Sequence, residues 1–249
     1  ATYDFSRRTH ATAGYSFRGL DFTGEADDGR LRDHVATGGL SRDFSRRWRV
    51  GARYVFGRGE NFYGGEGSTT SSQGADLTFD YRRTLRSRRQ LTLGFAPGFS
   101  RHEIENLTLG RRVDRRVTAS IHASVDVARS WRLRGDYRRG LRQIPAIREP
   151  VFADDVQLLA TGLLGRRTDV SLRLQYTEGD PGFARNGFTT LSGMSQGRLA
   201  LTRLLAMTVQ YMYYHYEFGP EAILPADMSR RFNRHALRVG FDLWLPLHR

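Results

Sequence analysis

The chain has 249 residues and a formal charge of +13, from 39 basic residues, every one an arginine, against 26 acids. It has no cysteine, which excludes disulfides, thiolate metal centres, cysteine-linked haem and thiol catalysis. A mean hydropathy of −0.53 and the lack of any apolar run of about 18 residues exclude a transmembrane helix but not a membrane, because a spanning β-strand needs only about 9–11 residues with one apolar face.

In chain order, the opening ATYDFSRR is polar from its third residue and shows no signal peptide; residues 1–8 read as the tail of an upstream strand and its turn. Strands are then predicted at 9–23, 34–45 and 48–60. The last of these follows a doubly basic turn and places Trp48, Val50, Ala52, Tyr54 and Phe56 at every second position, with Arg49 and Arg53 between them. Further runs follow at 75–85, 90–102, 115–128, 131–143, 154–165, 169–178, 189–204, 206–218 and 232–246, about 12 strands in all. Residues 198–208, RLALTRLLAMT, favour helix by propensity, but their place in the pattern assigns them to strands.

The pattern repeats. DFSRR stands at 4–8 and at 43–47, and looser copies recur at roughly 35–42 residue intervals, which points to a repeated supersecondary unit. Each unit is an alternating run, a tight turn, a second alternating run and a longer loop, that is, a long β-hairpin. The faces separate cleanly in 117–127, where Val117, Ala119, Ile121, Ala123, Val125 and Val127 oppose Thr118, Ser120, His122, Ser124 and Asp126. A soluble sheet shows such alternation too, but its strands usually have about 5–6 residues.

Aromatics fall at matching places in the hairpins. Trp48 and Trp131 sit just after a turn, and Tyr15, Tyr54, Phe95, Tyr137, Tyr176 and Tyr211 lie several residues later. With strands tilted by about 40°, each residue advances roughly 2.6 Å along a barrel axis, so Trp48 to Phe56 spans roughly 21 Å, close to an apolar band of about 25 Å with an aromatic girdle at each edge. These features resemble the bacterial outer-membrane β-barrel proteins, in particular porin-like barrels. The resemblance covers nearly the whole chain and rests on architecture, without a diagnostic motif. Such barrels end on an alternating strand with a terminal aromatic, whereas HALRVGFDLWLPLHR keeps the alternation and ends on Pro246, Leu247, His248 and Arg249.

The resemblance implies one all-β domain over 1–249: a closed antiparallel transmembrane barrel of about 12 strands, 12–14 allowed, in the outer membrane. Short turns lie at one end and longer loops at the other. Arginines gather in the short turns (Arg7, Arg8, Arg46, Arg47, Arg86, Arg88, Arg89, Arg166, Arg167) and acids in the loops (Glu25, Asp27, Asp28, Glu60, Glu66, Asp154, Asp155, Glu178, Asp180, Glu221). By analogy the turns face the periplasm, where guanidiniums meet lipid phosphates.

The expected interior face carries Arg18, Arg49, Arg53, Arg82, Arg132, Arg134, Arg138, Arg173, Arg198 and Arg238, with Asp76, Asp80, Asp126, Asp136 and Asp242 among them. Arginine inside a low-dielectric wall favours anions, which implies a channel for small, preferably anionic solutes. Arg–carboxylate pairs that merely fill the interior give the alternative, a non-conducting sleeve or anchor for a lumen-filling or periplasmic partner. A further alternative is lipid hydrolysis: His122 and Ser124 share a polar face, and this His-x-Ser pair resembles the base and nucleophile of outer-membrane lipid hydrolases. No enzyme activity is expected from so short a motif. The other histidines show no metal spacing, and no phosphate or dinucleotide loop is present, so no metal or cofactor is expected. Arginines spread over every hairpin, instead of one patch, argue against nucleic acid; two long strands per repeat argue against a propeller blade of four.

Overall fold

The doubly basic hairpins owe their shape to a hydroxyl. In the computed structural model, which describes residues 1–22, 29–63, 66–85, 89–106, 110–128, 130–142, 151–181, 187–220 and 229–243, Ser45 Oγ accepts from the backbone N–H of Arg47 and of Trp48, both at 3.1 Å. Ser6 Oγ does the same for Arg8 and Thr9 at 3.2 and 3.1 Å, and Thr202 Oγ1 for Leu204 and Leu205 at 3.1 and 3.0 Å. A side-chain oxygen that bonds donors two and three residues ahead stabilises a turn against a continued strand or helix, which explains why DFSRR recurs with its serine. It also decides the helix-like segment: Ala200 ends one strand, Thr202 caps the turn and Leu205 begins the next.

Thirteen strands result: β1 (Thr2–Ser6), β2 (Thr9–Phe22), β3 (Gly29–Asp43), β4 (Trp48–Tyr63), β5 (Glu66–Thr84), β6 (Gln90–Asn106), β7 (Gly110–Asp126), β8 (Arg132–Arg142), β9 (Val151–Leu164), β10 (Thr168–Pro181), β11 (Phe188–Ala200), β12 (Leu205–Phe218) and β13 (Arg231–Leu243). They pair in chain order as one antiparallel meander, and no helix occurs among the described residues. The all-β antiparallel expectation holds. Residues 1–8 form a strand of their own in a hairpin with β2, which adds one strand to the 12 expected.

Several strands run further than the alternation showed. β5 begins at Glu66, nine residues before the predicted start at 75, because EGSTTSSQG has no apolar period to read yet pairs with β4 from Tyr63↔Glu66 onward. Backbone ladder bonds hold that extension. Glu60, Asp154, Asp155, Glu178 and Asp180, expected in loops, accordingly stand within strands. Arg86, Arg88, Glu25, Asp27, Asp28, Glu221 and residues 244–246 lie outside the described residues, and nothing is described of the Glu66 side chain.

The chain divides into two compact units: Ala1–Arg82, Leu93–Ile121 and Arg139–Val151 form one; Arg83–Thr92, His122–Arg138 and Phe152–Arg249 form the other. In the first, register puts Trp48, Val50, Ala52 and Tyr54 opposite Tyr81, Phe79, Leu77 and Ala75 on one face, and Arg49 and Arg53 opposite Asp80 and Asp76 on the other. In the second, Leu205, Met207, Val209 and Tyr211 of β12 face Leu243, Phe241, Val239 and Leu237 of β13. Each unit therefore has an apolar face, and that face is left open: Val117 is 67% exposed, Leu237 68% and Phe241 66%. Few apolar side chains are buried, among them Leu31, Ala96 and Ile104 in the first unit and Phe152, Phe188 and Phe218 in the second. A sheet with contiguous bare leucine, valine and phenylalanine on one side requires an apolar surrounding.

Candidate functional site

The opposite, polar face carries the candidate chemistry. At the turn end of the first unit it starts with a chain of contacts: His10 Nδ1 lies 2.5 Å from Asp4 and its Nε2 3.3 Å from Asp43, while Arg49 donates to both Asp43 oxygens at 2.6 and 3.1 Å. The two aspartates are those of the repeated DFSRR, so the repeat supplies a charge ladder as well as a turn. Further along, Arg18 donates to Asp33 at 3.2 and 2.5 Å, and Arg53 to Asp76 at 3.1 and 2.6 Å. Asp76 is only 15% exposed and also accepts from Thr118 at 3.5 Å. It lies over Gly98, where an added Cβ would run into its carboxylate, into Thr118 Oγ1 at 2.7 Å and into the Ala75 carbonyl at 2.8 Å. Glycine is what lets the ion pair lie flat on β6.

The second unit repeats the device. Arg132 donates to Asp126 at 2.8 Å, Arg134 donates to both oxygens of Asp136 at 2.7 and 2.8 Å, and Arg198 lies 3.6 Å from Asp242. Asp155 accepts from Gln175 at 2.8 Å and from Thr177 at 2.7 Å. The arginines expected on one polar face are thus mostly partnered, and the ion-pair network weighed against a bare basic surface is present. Among the described residues, the side chains of Arg82, Arg138, Arg173, Arg234 and Arg238 have no carboxylate partner. Asp169 stands on the same face opposite Arg198 in register and makes no ion pair among the described residues.

The aromatic positions fall on the apolar face. Tyr15, Tyr54, Phe95, Tyr176 and Tyr211 are 40–68% exposed there, and Trp48 packs on Tyr81 at 4.8 Å. Trp131 precedes β8, and its ring lies against Gly162, where any Cβ would overlap it. The Tyr137 hydroxyl donates to Asp154 at 2.6 Å. On the long-loop side, beyond roughly 10 residues of apolar band, Glu103 and Arg111 pair at 2.6 Å. That hydrogen bond holds the Glu103 carboxyl below, and the Arg111 guanidinium above, their ordinary ranges.

His122 and Ser124 share the polar face as expected, but the Ser124 hydroxyl shares a 2.7 Å hydrogen bond with Thr92. A closer serine–imidazole pair escaped sequence reasoning: Ser100 Oγ and His102 Nε2 lie 2.7 Å apart. Their exposures of 6% and 4% close them to a substrate. Sequence reasoning also passed over YMYYHYEF, 211–218, where aromatics occur in both phases of the alternation, so that Tyr211 and Tyr213 face the apolar side and Tyr214, Tyr216 and Phe218 the polar side. Among the described residues no group of three or more His, Asp or Glu is placed to hold a metal ion.

No protein-family model and no curated protein matches the chain. Solved structures do. The unliganded ferric citrate transporter FecA aligns over 97% of this chain and 45% of its own, with a TM-score of 0.55 and 12% identity. The siderophore receptor PirA from Pseudomonas aeruginosa aligns over 99% and 52%, with a TM-score of 0.55 and 12% identity. The chain therefore spans about half the length of these neighbours, and the likeness is one of fold. That fold, with its apolar face bare and its charges gathered on the other, is the outer-membrane β-barrel fold, and it gives the chain its place in the outer membrane.

Proposed function

We propose that the sheet forms the wall of a barrel that passes small solutes across the outer membrane with a preference for anions. The observation that carries this is the imbalance on the polar face: Arg82, Arg138, Arg173, Arg234 and Arg238 lack carboxylate partners there, against Asp169 alone among the aspartates named above. Unpaired guanidiniums within a low-dielectric wall raise the local anion concentration, while the paired ones stiffen the wall and contribute little net field. No catalytic step is assigned to the chain, and the same purified protein is expected not to hydrolyse phospholipid in mixed micelles.

In planar bilayers under a salt gradient, the reversal potential is expected to show anion selectivity. Arg173→Gln combined with Arg238→Gln is expected to move it towards zero, whereas Arg53→Gln, which removes a paired charge and leaves Asp76 without its partner, is expected to act mainly on stability. Absence of current at every voltage favours the non-conducting sleeve or anchor for a partner protein.

A second reading has its own support. Strands that alternate in direction close antiparallel only in even number, so thirteen require at least one more. Together with the half-length match to a ferric citrate transporter and a siderophore receptor, this favours a stretch of wall in a larger uptake barrel.

A further inference from the structure

Among the described side chains, phenylalanine and tyrosine rings reach the polar face only on β11, β12 and β13, and there they form one connected group. Phe188 meets Phe218 at 4.8 Å, Phe218 meets Tyr216 at 5.3 Å, Tyr216 stacks on Phe232 at 5.5 Å with 22° between planes, and Tyr214 meets Tyr216 at 6.1 Å. The inner pair is buried, at 3% and 5% exposure, and is accounted for as packing. The outer members are not: Tyr214 and Phe232 are each 40% exposed on a face where Met212 and Ala236 are their apolar neighbours towards the turn and Arg, Asp, Ser, Thr, Gln and Gly predominate. The exposed part of each ring offers a flat apolar surface.

A cation stands beside it. Register pairs Tyr214 with Arg234, one step along the polar face from the Tyr216–Phe232 pair, and Arg234 is exposed with no partner among the described residues. Positions two apart on one strand face are separated by about 7 Å, roughly the distance from the centre of a stacked ring, through its carboxylate, to a guanidinium that binds it. Thr190 and Ser192 of β11 stand opposite Tyr216 and Tyr214 and add hydroxyls at the same level. Beyond Arg234 the face continues with Met212 opposite Ala236, Gln210 opposite Arg238, and Thr208, which donates to Asp242 at 3.0 Å.

We propose that Tyr214, Tyr216 and Phe232 with Arg234 form a binding site for aromatic carboxylates, the ring stacked on the aromatic platform and the carboxylate held by the guanidinium. This rests on the reading of the polar face as a solute path and names the class of anion that the path selects. A ring without a charge forfeits Arg234, and a charge without a ring forfeits the platform, so each half alone binds weakly.

The test is benzoate titrated into the whole chain in detergent, followed by ligand-observed saturation-transfer NMR, with acetate and benzyl alcohol as single-feature probes. Benzoate is expected to saturate, and acetate and benzyl alcohol to bind at least about tenfold more weakly. Arg234→Gln is expected to weaken benzoate about tenfold; Phe232→Leu, which keeps the apolar volume and removes the ring, severalfold; Arg82→Gln, in the other unit, not at all. Absence of saturable benzoate binding, equal affinity for acetate, or unchanged affinity in Arg234→Gln and Phe232→Leu overturns the site. The solute-path reading fails separately: benzoate binding without bilayer current sinks the path and keeps the site, and anion current without benzoate binding does the reverse.

Discussion

Leu172→Arg is expected to destabilise the protein in a bilayer by about 2–4 kcal/mol, while Ser171→Arg, its neighbour on the other face, costs much less. Leu172 lies in β10 opposite Ser195, 46% exposed on the apolar side. It is the fifth residue after the turn, so at roughly 2.6 Å of axial advance per residue it sits near the middle of an apolar band of about 25 Å, where neither snorkelling nor headgroup contact rescues a guanidinium. Ser171 shares the polar face with Arg173 and Gln175, and an added arginine there stays in water. Denaturant-dependent folding into vesicles measures both costs. Equal costs at the two positions would mean that the faces are assigned the wrong way round.

The second large effect is at Gly98. A valine there has no room, because the Asp76 carboxylate, Thr118 Oγ1 and the Ala75 carbonyl already occupy the space above its Cα. Crowding of this kind costs about 1–3 kcal/mol, and displacing Asp76 from Arg53 adds about 1.5–3 kcal/mol for the charge-assisted bonds. Part of that cost belongs to the carboxylate, so Gly98→Val should be less damaging on an Asp76→Ala background than on the native one. The Ala75 carbonyl is backbone and stays in place, so the rescue is expected to be partial. A cost unchanged between the two backgrounds would show that the ion pair and the glycine are independent.

These two positions differ in how far sequence could reach them. The outward direction of Leu172 follows from its phase in DVSLRLQY, since side chains alternate along any strand whatever its neighbours are. Nothing in QLTLGFAPGFS marks Gly98 as the place where a carboxylate from β5 comes to rest. The same division runs through the polar face. Its arginines were legible one by one as members of an alternating pattern. That Arg53 meets Asp76, while Arg173 and Arg238 meet no carboxylate, was not legible, and it separates the arginines expected to act on passing anions from those that hold the wall.

The sequence by itself determined the strand class, the two faces of each strand, the hairpin repeat and the absence of a spanning helix, because all of these depend on residue spacing and turn chemistry within a few positions. Tertiary structure alone decided the register between strands, and with it cross-strand pairs such as Arg53 with Asp76 and Arg18 with Asp33, the bed that Gly98 and Gly162 make for their neighbours, and the grouping of Phe188 with Tyr214, Tyr216, Phe218 and Phe232. Register brings together residues 20 or more positions apart, Arg53 with Asp76 and Phe188 with Phe218 among them, and because the backbone ladder bonds are alike at every residue it is turn geometry and the matching of apolar faces across the whole sheet that fix it. A one-residue shift of a pairing would keep the composition, break the turn, and send every side chain of the shifted strand to the other face.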